Sequence, residues 1–269
     1  MSDLSLLTDA AQAAGEVALP FWRRTHKSWE KAEGAGPVTE ADLAVDAMLK
    51  DRLLAARPDF GWLSEESEDS GSRQSTSQVF IVDPIDGTRA FMAGERTWAH
   101  SLAISRNGTI TAAVIYLPAR EKLYTAKLGG GAFLNGVSIR SSSRSSLDNA
   151  TVLSAKPNLN LKYWPNGLPQ MHRHFRASLA YRLALIAEGR FDAMLTFRDT
   201  WEWDVAAGTL ITKEAGGMVS DRFGDAPIFN NPKPVLRGLI AAGPPVHGDL
   251  LRHLLGNDST KEGWDQPKS

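Results

Sequence analysis

The most informative absence in the sequence is cysteine, which occurs nowhere among the 269 residues. Disulfide bonds, iron–sulfur clusters and thiol catalysis are therefore excluded. Any metal ion must be held by Asp, Glu, His or carbonyl oxygens. The absence of cysteine is compatible with a reducing cytoplasm, which is the location that we predict.

The sequence also lacks a charge imbalance and a long apolar run. Its formal net charge of −1 gives no electrostatic reason to expect a nucleic acid or an anionic membrane as a partner. No apolar stretch reaches the roughly 18 residues of a membrane-spanning helix. The first residues include Asp3 and Asp9 and lack a basic segment, so we do not expect a signal peptide.

The hydrophobic periodicity predicts a mixed α/β (α+β) protein with two sheet-containing halves. A first helix begins after Ser2 or Asp3, and a second is capped by Thr39 and ends at Arg57. The stretch between them, residues 26–42, favours a mobile connection. Strands are predicted at 79–83, 98–105, 109–117, 122–126, 151–154, 191–196, 217–220 and 237–241, and helices at 177–188, 204–215 and 246–255.

The polar stretch RSSSRSSLDN, residues 140–149, is the best candidate for a boundary between the halves. It divides the chain into an N-terminal half, 1–145, and a C-terminal half, 146–269. The acidic motifs described next lie mostly in the first half, so the second half is expected to close the site.

The stretch VFIVDPIDGT places two acids directly after an apolar strand. Pro84 has no N–H to donate, so the strand is predicted to stop there. Gly87 permits a sharp turn, and Thr88 is predicted to cap a short helix that begins at Arg89. Asp83 and Asp86 would then lie at a strand end, where α/β proteins usually bind ligands. The alternative is a turn in which each Asp caps local amides.

Three other acidic motifs have both a structural and a functional interpretation. Glu65 and Glu66 follow the apolar strand in WLSEESED, and either a solvated loop or a site residue fits the pattern. Asp204 opens the Ala-rich helix of WEWDVAAG, where a helix N-cap is sufficient explanation, although a capping Asp can also face a cation. Asp42 fits the first turn of the helix that Thr39 caps.

Carboxylates without cysteine favour a hard cation, Mg²⁺ first. Mg²⁺ held by a few carboxylates usually also binds substrate phosphate, and the amides of Gly87 and Thr88 would offer a phosphate site at a helix start. Metal-assisted hydrolysis of a small phosphate ester is therefore the predicted reaction class.

Together the motifs resemble the inositol monophosphatase superfamily of Mg²⁺-dependent, lithium-sensitive phosphatases. DPIDGT at 83–88 and WDVAAGTLITKEAGG at 203–217 resemble its two signatures, and TEAD, SEES and GGGAFLNG occur in the expected order. The resemblance covers roughly residues 5–243. It implies an αβαβα layered sandwich of the sugar-phosphatase type, a small phosphorylated metabolite as substrate and, in many members, a homodimer.

The resemblance also implies residue roles. Two or three Mg²⁺ ions would be held by five residues: Glu65, Asp83, the carbonyl of Ile85, Asp86 and Asp204. Asp42 and Thr88, with the metal ligand Glu65, would position or activate the attacking water. Gly87 and Thr88 amides would bind the phosphate, and Asp204 would also face the substrate. The attack is expected to be in line, without a phosphoenzyme.

The substrate is predicted from the segment TFRDTWEWD. Where inositol monophosphatases typically carry a glutamate that binds inositol hydroxyls, this chain has Phe197, which cannot accept a hydrogen bond. With Thr200, this resembles the bacterial 3'(2'),5'-bisphosphate nucleotidases, and adenosine 3',5'-bisphosphate is the preferred substrate. An aromatic ring, Phe197 or a neighbouring Trp, would stack on adenine and Arg198 would meet a second phosphate; alternatively Phe197 packs in the core and Arg198 is solvated.

Other substrates and one other class of protein remain open at this point. GGGAFLNG and KEAGG resemble the inositol branch equally well, and DPIDGTRAF followed by a Trp is similar to histidinol-phosphate phosphatases. A regulatory or scaffold protein that only keeps the fold is the alternative class, but none of the five implied ligand positions is lost.

Overall fold

The computed structural model describes residues 1–24, 27–30 and 37–255. The helices are α1 (Asp3–Ala18), α2 (Glu40–Ala56), α3 (Thr88–Met92), α4 (Leu179–Ala187), α5 (Glu202–Glu214) and α6 (Pro244–Leu255). The strands are β1 (Ser28–Glu30), β2 (Pro37–Thr39), β3 (Gly61–Ser64), β4 (Gln78–Asp86), β5 (Ala99–Arg106), β6 (Thr109–Leu117), β7 (Lys122–Lys127), β8 (Ala132–Leu134), β9 (Val137–Ser138), β10 (Ala150–Ser154), β11 (Met171–His174), β12 (Ala193–Thr196), β13 (Thr200–Trp201), β14 (Met218–Ser220), β15 (Val235–Leu236) and β16 (Leu239–Ala242).

Two large sheets carry the fold. The first has the strand order β3-β4-β5-β6-β7-β8-β9, and the second has the order β11-β10-β12-β16-β14. In the first sheet β3 runs parallel to β4, and from β4 onward each neighbouring pair is antiparallel. The first sheet is built from residues before 140 and the second from residues after 149, on either side of the predicted connector.

The helices complete five layers, which confirms the predicted αβαβα sandwich. One core cluster joins α1 and α2 to a face of the first sheet, through residues such as Leu7, Val45, Phe80, Leu102 and Val114. A second cluster places α4 and α5 between the two sheets, and a third packs α6 on the outer face of the second sheet. The middle cluster contains residues of both halves, so the halves share a core.

The helix starts follow the expected local chemistry. Ser2 caps α1 by accepting a hydrogen bond from Ser5 N at 3.1 Å. Thr39 and Asp42 form a reciprocal capping box on α2, in which the Asp42 carboxylate accepts from Thr39 N at 2.8 Å. These two caps confirm the predicted starts of the first two helices.

The segment predicted as a mobile connection contains two short strands. β1 pairs with β2 in antiparallel register, Ser28 opposite Thr39. A three-residue strand carries too little periodicity to be recognised in a polar, Gly-rich context, so the sequence did not predict these two strands. Residues 26 and 31–36 of the segment lie outside the described ranges. No helix in the described part of the chain is long and apolar enough to cross a membrane.

Candidate active site

Three carboxylates meet where the two sheet-bearing halves join. Asp83 and Asp86 come from the end of β4, and Asp204 comes from the first turn of α5. Each offers an oxygen atom that lies within 4.8 Å of the oxygens of the other two. Asp83 and Asp86 are buried, and Asp204 is partly exposed. The structure therefore brings together three of the side chains that the sequence singled out.

The two acids of β4 are separated by a β-bulge, and the strand does not stop at Pro84 as predicted. Asp83 pairs with Ser101 and Asp86 pairs with Ala99, so β4 advances three residues while β5 advances two. The missing N–H of Pro84 falls in the bulge, where no ladder hydrogen bond is required. The bulge allows both carboxylates to point to one side of the sheet edge, which a regular strand would prevent.

Buried polar contacts fix the shape of this bulge. His100, on the facing strand, hydrogen-bonds through Nδ1 to the Pro84 carbonyl. Because a carbonyl only accepts, Nδ1 carries the proton. Burial lowers the pKa of His100 to about 4, so the ring is neutral at physiological pH. The Ile85 carbonyl oxygen lies 3.2 Å from the hydroxyl oxygen of Thr88, within hydrogen-bond distance.

The electrostatics of the cluster call for a cation. Burial, followed by the negative charge of Glu65, raises the pKa of Asp83 well above its usual range, and burial and Asp86 do the same to the pKa of Asp204. Burial raises the pKa of Asp86 to about 6, although hydrogen bonds from Ser178 and Ala180 oppose the shift. Such mutual repulsion in a buried site is relieved by protonation or by a bound cation.

The donor set suits a divalent metal ion. Within the described ranges, Oδ1 of Asp83 is buried without a hydrogen-bond partner. A buried carboxylate oxygen in that state costs free energy unless it is protonated or coordinates a cation. An all-oxygen set of carboxylates is the chemistry that Mg²⁺ prefers.

Glu65 lies at the edge of this cluster. Its backbone N–H donates to the Val82 carbonyl at 3.3 Å, which anchors the loop after β3 against β4. Its charge raises the pKa values of both Asp83 and Asp204, so the side chain is close to the acids. Glu66 contributes a smaller effect on the pKa of Asp83.

Thr88 and Asp42 form a hydrogen-bonded pair near the three acids. The Thr88 hydroxyl lies 3.2 Å from Oδ1 of Asp42, and the other oxygen of Asp42 accepts from the Thr39 N–H at 2.8 Å and from its hydroxyl at 2.5 Å. Asp42 and Thr88 are both buried. The structure therefore brings together two residues that are 46 positions apart in the sequence.

The start of α3 differs from the prediction. Gly87, with φ of +97°, is the N-cap, and Thr88 is the first helical residue instead of the cap. A side chain at Gly87 would adopt a rare backbone conformation, and its Cβ would lie 3.3 Å from the Thr97 carbonyl oxygen. Because Gly87 supplies the turn, the Thr88 hydroxyl is available to contact Asp42.

Asp204 is not the N-cap of its helix. The N-cap of α5 is Trp201, and the helix begins at Glu202, so Asp204 lies in the first turn. Its carboxylate is therefore not used to cap the backbone and faces the other two acids. The sequence interpretation that made Asp204 a capping residue was wrong, while the interpretation that turned it toward a cation fits the geometry.

Phe197 does not reach the acids. Its ring is 3% exposed and packs against Tyr163 and Trp164, with ring centroids at 5.1 and 5.9 Å. It belongs to the core cluster beneath α6, on the outer face of the second sheet. The ring therefore offers no face to an adenine base, and the packing alternative applies. Arg198 is exposed, and its charge lowers the pKa of Asp204, so it lies on the site side.

The sequence reasoning missed several polar residues around the cluster. Ser178 Oγ and Ala180 N donate to Oδ2 of Asp86, at 2.6 and 2.5 Å. Arg182 is buried, and its positive charge acts on Asp86 and Asp204. A lone arginine in the otherwise apolar helix LAYRLALIA was the available signal, because a buried charge requires a partner.

The fold is shared with solved bacterial proteins of one class. An IMPase from Thermotoga maritima superposes with a TM-score of 0.81 at 28% identity, over 94% of this chain and 97% of that one. An inositol-1-monophosphatase of Rhizobium meliloti is 36% identical over 228 residues, 81% of this chain and 82% of that protein. Nus factor SuhB of Pseudomonas aeruginosa is 34% identical over 230 residues, 81% of this chain and 84% of that protein. The fold and the acidic site thus define a metal-dependent phosphatase.

The sequence model of the inositol monophosphatase family matches residues 2–257, and the chain belongs to that family. Members of the family hydrolyse phosphate monoesters and depend on Mg²⁺. The predicted superfamily and the predicted enzyme class are therefore confirmed. A second inositol-1-monophosphatase, from Mesorhizobium japonicum, is 34% identical over 262 residues, so the names of these relatives favour the inositol branch over the predicted bisphosphate nucleotidase.

Proposed function

We propose that the protein hydrolyses a small phosphate monoester, of the inositol monophosphate type, at the site built by Asp83, Asp86 and Asp204. The observation that carries this proposal is the buried three-acid cluster with the Asp42–Thr88 pair beside it. The three-acid cluster would bind a cation. The Asp42–Thr88 pair would accept a proton from a water molecule beside that cation.

The metal ligands in this proposal are the carboxylates of Glu65, Asp83, Asp86 and Asp204 and the carbonyl of Ile85. When bound, Mg²⁺ lowers the pKa of a water molecule and stabilises the negative charge that develops on phosphate and leaving-group oxygens. The number of ions, two or three, belongs to the proposal.

The protein's own residues would move the proton and hold the phosphate. Thr88 Oγ1 donates to Asp42 and can accept a proton from water on its free lone pair, so a proton can pass from water through Thr88 to Asp42. The two hydrogen bonds from Thr39 keep the Asp42 carboxylate oriented as the acceptor. The amides of Gly87 and Thr88 would donate to phosphate oxygens at the start of α3.

For the substrate we propose inositol monophosphate in preference to adenosine 3',5'-bisphosphate. The names of the similar proteins support this choice, and the buried ring of Phe197 removes the stacking contact that favoured the nucleotide. Arg198 is exposed beside Asp204 and would contact the substrate phosphate or a second anionic group. A bisphosphate or histidinol phosphate therefore remains a competitor in the test.

The proposal also includes the assembly and the location of the protein. A homodimer is supported by the family resemblance, and light scattering of the purified chain would measure its mass. A cytoplasmic location is compatible with the absence of cysteine from the sequence.

The first experiment compares kcat/KM for inositol 1-phosphate, adenosine 3',5'-bisphosphate, fructose 1,6-bisphosphate and histidinol phosphate, with and without Mg²⁺. We expect Mg²⁺-dependent phosphate release, with inositol 1-phosphate preferred. A tenfold preference for the bisphosphate nucleotide would refute the substrate assignment and leave the reaction class intact. No turnover of any ester would remove the enzymatic proposal and favour a binding role.

The second experiment replaces Asp86 by Asn. One carboxamide oxygen can still accept the hydrogen bonds of Ser178 and Ala180, so the fold should survive, and removing a buried charge next to Asp83 should not lower Tm in EDTA. We expect activity to fall by at least about 100-fold, because the substitution removes a proposed metal ligand. Even mutation of a residue that only hydrogen-bonds to a metal ligand typically lowers metal affinity or activity by about 10- to 100-fold. Near-normal turnover in a folded Asp86→Asn variant would contradict the metal assignment.

A further inference from the structure

A buried arginine lies behind the loop that carries Glu65. Arg73 is 1% exposed and belongs to the short 3-10 turn Ser72–Ser75. A guanidinium removed from water must satisfy its donors inside the protein. The partners of Arg73 therefore show which segments this charge holds together.

The guanidinium joins the Glu65 loop to a distant part of the chain. Nε and Nη2 donate to Oδ2 of Asp69 at 3.0 and 2.7 Å, and Asp69 lies four residues after Glu65. Nη1 donates to Oδ1 of Asn230 at 2.5 Å, and Nη2 donates to the Asn231 carbonyl at 2.9 Å. One side chain thus links residues that are 157 positions apart.

The same distant segment is bound to a buried glutamate at the start of α5. Glu202 is fully buried, and its carboxylate accepts from the backbone N–H groups of Asn230 and Asn231 at 2.6 and 2.9 Å. It also accepts from Nδ2 of Asn231 at 2.7 Å. Glu202 lies two residues before Asp204 in the first turn of α5. These hydrogen bonds therefore hold the segment at Asn230 and Asn231 against a residue that is close to Asp204 in the sequence of α5.

We define the positioning network as Asp69, Arg73, Asn230, Asn231 and Glu202. One end of the network, Asp69, is four residues from Glu65 in the sequence. The other end, Glu202, is two residues from Asp204. Burying charged groups for stability alone is inefficient, because an apolar replacement of similar volume is often as stable. Supporting contacts around metal ligands, in contrast, commonly decide metal affinity.

We propose that Arg73 and Glu202 are positioning residues that set the place of Glu65 relative to Asp204, and hence the metal affinity of the site. Arg73 fixes the Glu65 loop, Glu202 fixes the first turn of α5, and Asn230 and Asn231 connect them. The proposal rests on the proposed function, because it assigns Glu65 and Asp204 to one metal site.

The test measures metal binding directly and separately from turnover. Mn²⁺ serves as a paramagnetic probe, and its dissociation constant is measured by electron paramagnetic resonance on metal-stripped protein. The variants are Arg73→Met, Arg73→Lys and Glu202→Gln, and the Mg²⁺ concentration for half-maximal activity is measured in parallel. We expect Arg73→Met and Glu202→Gln to weaken Mn²⁺ binding by roughly 10-fold. Arg73→Lys should recover part of the loss.

Further outcomes distinguish positioning from simple stabilisation. Since both residues act through one network, the double variant Arg73→Met/Glu202→Gln should lose little more affinity than the worse single variant. kcat at saturating metal should change less than the Mg²⁺ requirement. A fall in Tm with unchanged Mn²⁺ affinity in Arg73→Met and in Glu202→Gln would overturn the proposal; if Arg73→Met does not fold, Arg73→Lys and Glu202→Gln decide.

Arg57→Met is the matched control. Arg57 also donates from Nε and Nη2 to one carboxylate oxygen, Oδ1 of Asp3, at 3.1 and 2.9 Å, but it lies at the opposite end of α2 from Asp42. This variant should lower Tm without changing Mn²⁺ affinity. Glu65→Gln and Asp204→Asn are the reference variants: unchanged Mn²⁺ affinity in both would refute the metal assignment, whereas Mn²⁺ binding without turnover of any ester would refute only the proposed function.

Discussion

At the scale of single residues, the carboxylates of the site have two different environments. Asp83, Asp86 and Asp204 have raised pKa values and lie within 4.8 Å of one another, which suits them to hold a cation. Asp42 instead is tied to hydroxyl and amide donors, and its contact with the Thr88 hydroxyl gives it a route to a water molecule. In the proposed mechanism, carboxylates therefore have two roles, metal binding and proton transfer, because their neighbours differ.

Thr88→Val tests the proposed proton route. Valine has nearly the shape of threonine but no hydroxyl, so the metal ligands keep their charges while the link to Asp42 is lost. We expect kcat to fall by about 100-fold or more, the usual contribution of general acid–base catalysis. The Mn²⁺ dissociation constant and Tm should change little.

Thr88→Ser is the control for this prediction, because it restores the hydroxyl without the methyl group. It should recover most of the lost kcat. A Thr88→Val variant with nearly normal kcat would show that the proton leaves by another route.

The residue scale also shows what the sequence could and could not predict. The acids of β4 were recognisable because they follow an apolar strand directly. The position of the Phe197 side chain was not recognisable, although strand alternation determines which face of the sheet it lies on. Leu195 and Phe197 belong to the outer core cluster, and Met194 belongs to the inner one. The alternation was visible in the sequence, but which face of the second sheet lies under α6 is a tertiary property.

At the scale of secondary-structure elements, α2 forms hydrogen bonds to two separate segments of the site. Asp42 and Asp46 are four residues apart and therefore lie on one face of the helix. Asp42 contacts Thr88, and Asp46 accepts hydrogen bonds from Ser64 Oγ at 2.5 Å and from Ser67 Oγ at 2.6 Å. The two serines flank Glu65 and Glu66, so one carboxylate holds both sides of this acidic turn.

Asp46→Ala tests this role. The two serine hydroxyls would lose their shared acceptor, and the loop with Glu65 should become less ordered. We expect the Mg²⁺ concentration for half-maximal activity to rise by roughly 10-fold, with a smaller change in kcat at saturating Mg²⁺.

Asp51→Asn supplies the comparison on the same helix, because Asp51 is exposed and should not affect the Mg²⁺ requirement. An Asp46→Ala variant whose Mg²⁺ requirement matched that of the wild type would leave Asp46 with a structural role alone.

The bulge in β4 shows why element boundaries were harder to predict than element types. A proline in a strand pattern indicates a stop, and that indication was wrong because the strand resumes pairing at Asp86. Whether a proline ends a strand or occupies a bulge depends on the partner strand, here on Ala99 and His100, which follow Pro84 by 15 and 16 residues in the sequence. Long antiparallel strands such as β6 need no such knowledge, and the prediction of 109–117 matches its observed bounds.

At the scale of the whole molecule, the site depends on the contact between the two halves. Asp83 and Asp86 belong to the first sheet, while Asp204 is carried by α5, which packs between the sheets in a core common to both halves. The division at residues 140–149 therefore separates the sheets but does not separate the site. A cation bound by acids from both halves would stabilise the folded chain, because the unfolded chain cannot assemble the ligands.

The last prediction concerns the pH dependence of this stabilisation, measured as the difference in Tm between Mg²⁺ and EDTA. Asp86 has a pKa of about 6 in the folded protein against 3.8 for the free side chain. In EDTA its contribution to stability is fully present below pH 3.8 and is lost as the pH rises through 6. Mg²⁺ requires the ionised carboxylates, so protons compete with it at low pH. We therefore expect the difference in Tm to be large at pH 7.5 and to shrink as the pH falls through 6.

The difference in Tm between Mg²⁺ and EDTA cancels the contribution of groups that titrate in the same way in both conditions. His100 has the opposite effect, since its folded pKa of about 4 lies below 6.5 and its contribution is lost as the pH falls below 6.5, with or without Mg²⁺. In Asp86→Asn the Mg²⁺-dependent difference should be much smaller at every pH. A wild-type difference in Tm that stayed constant from pH 7.5 to 5 would mean that Mg²⁺ does not bind at the ionised Asp83–Asp86–Asp204 cluster, because a site built on these acids has to release their protons before it binds the ion.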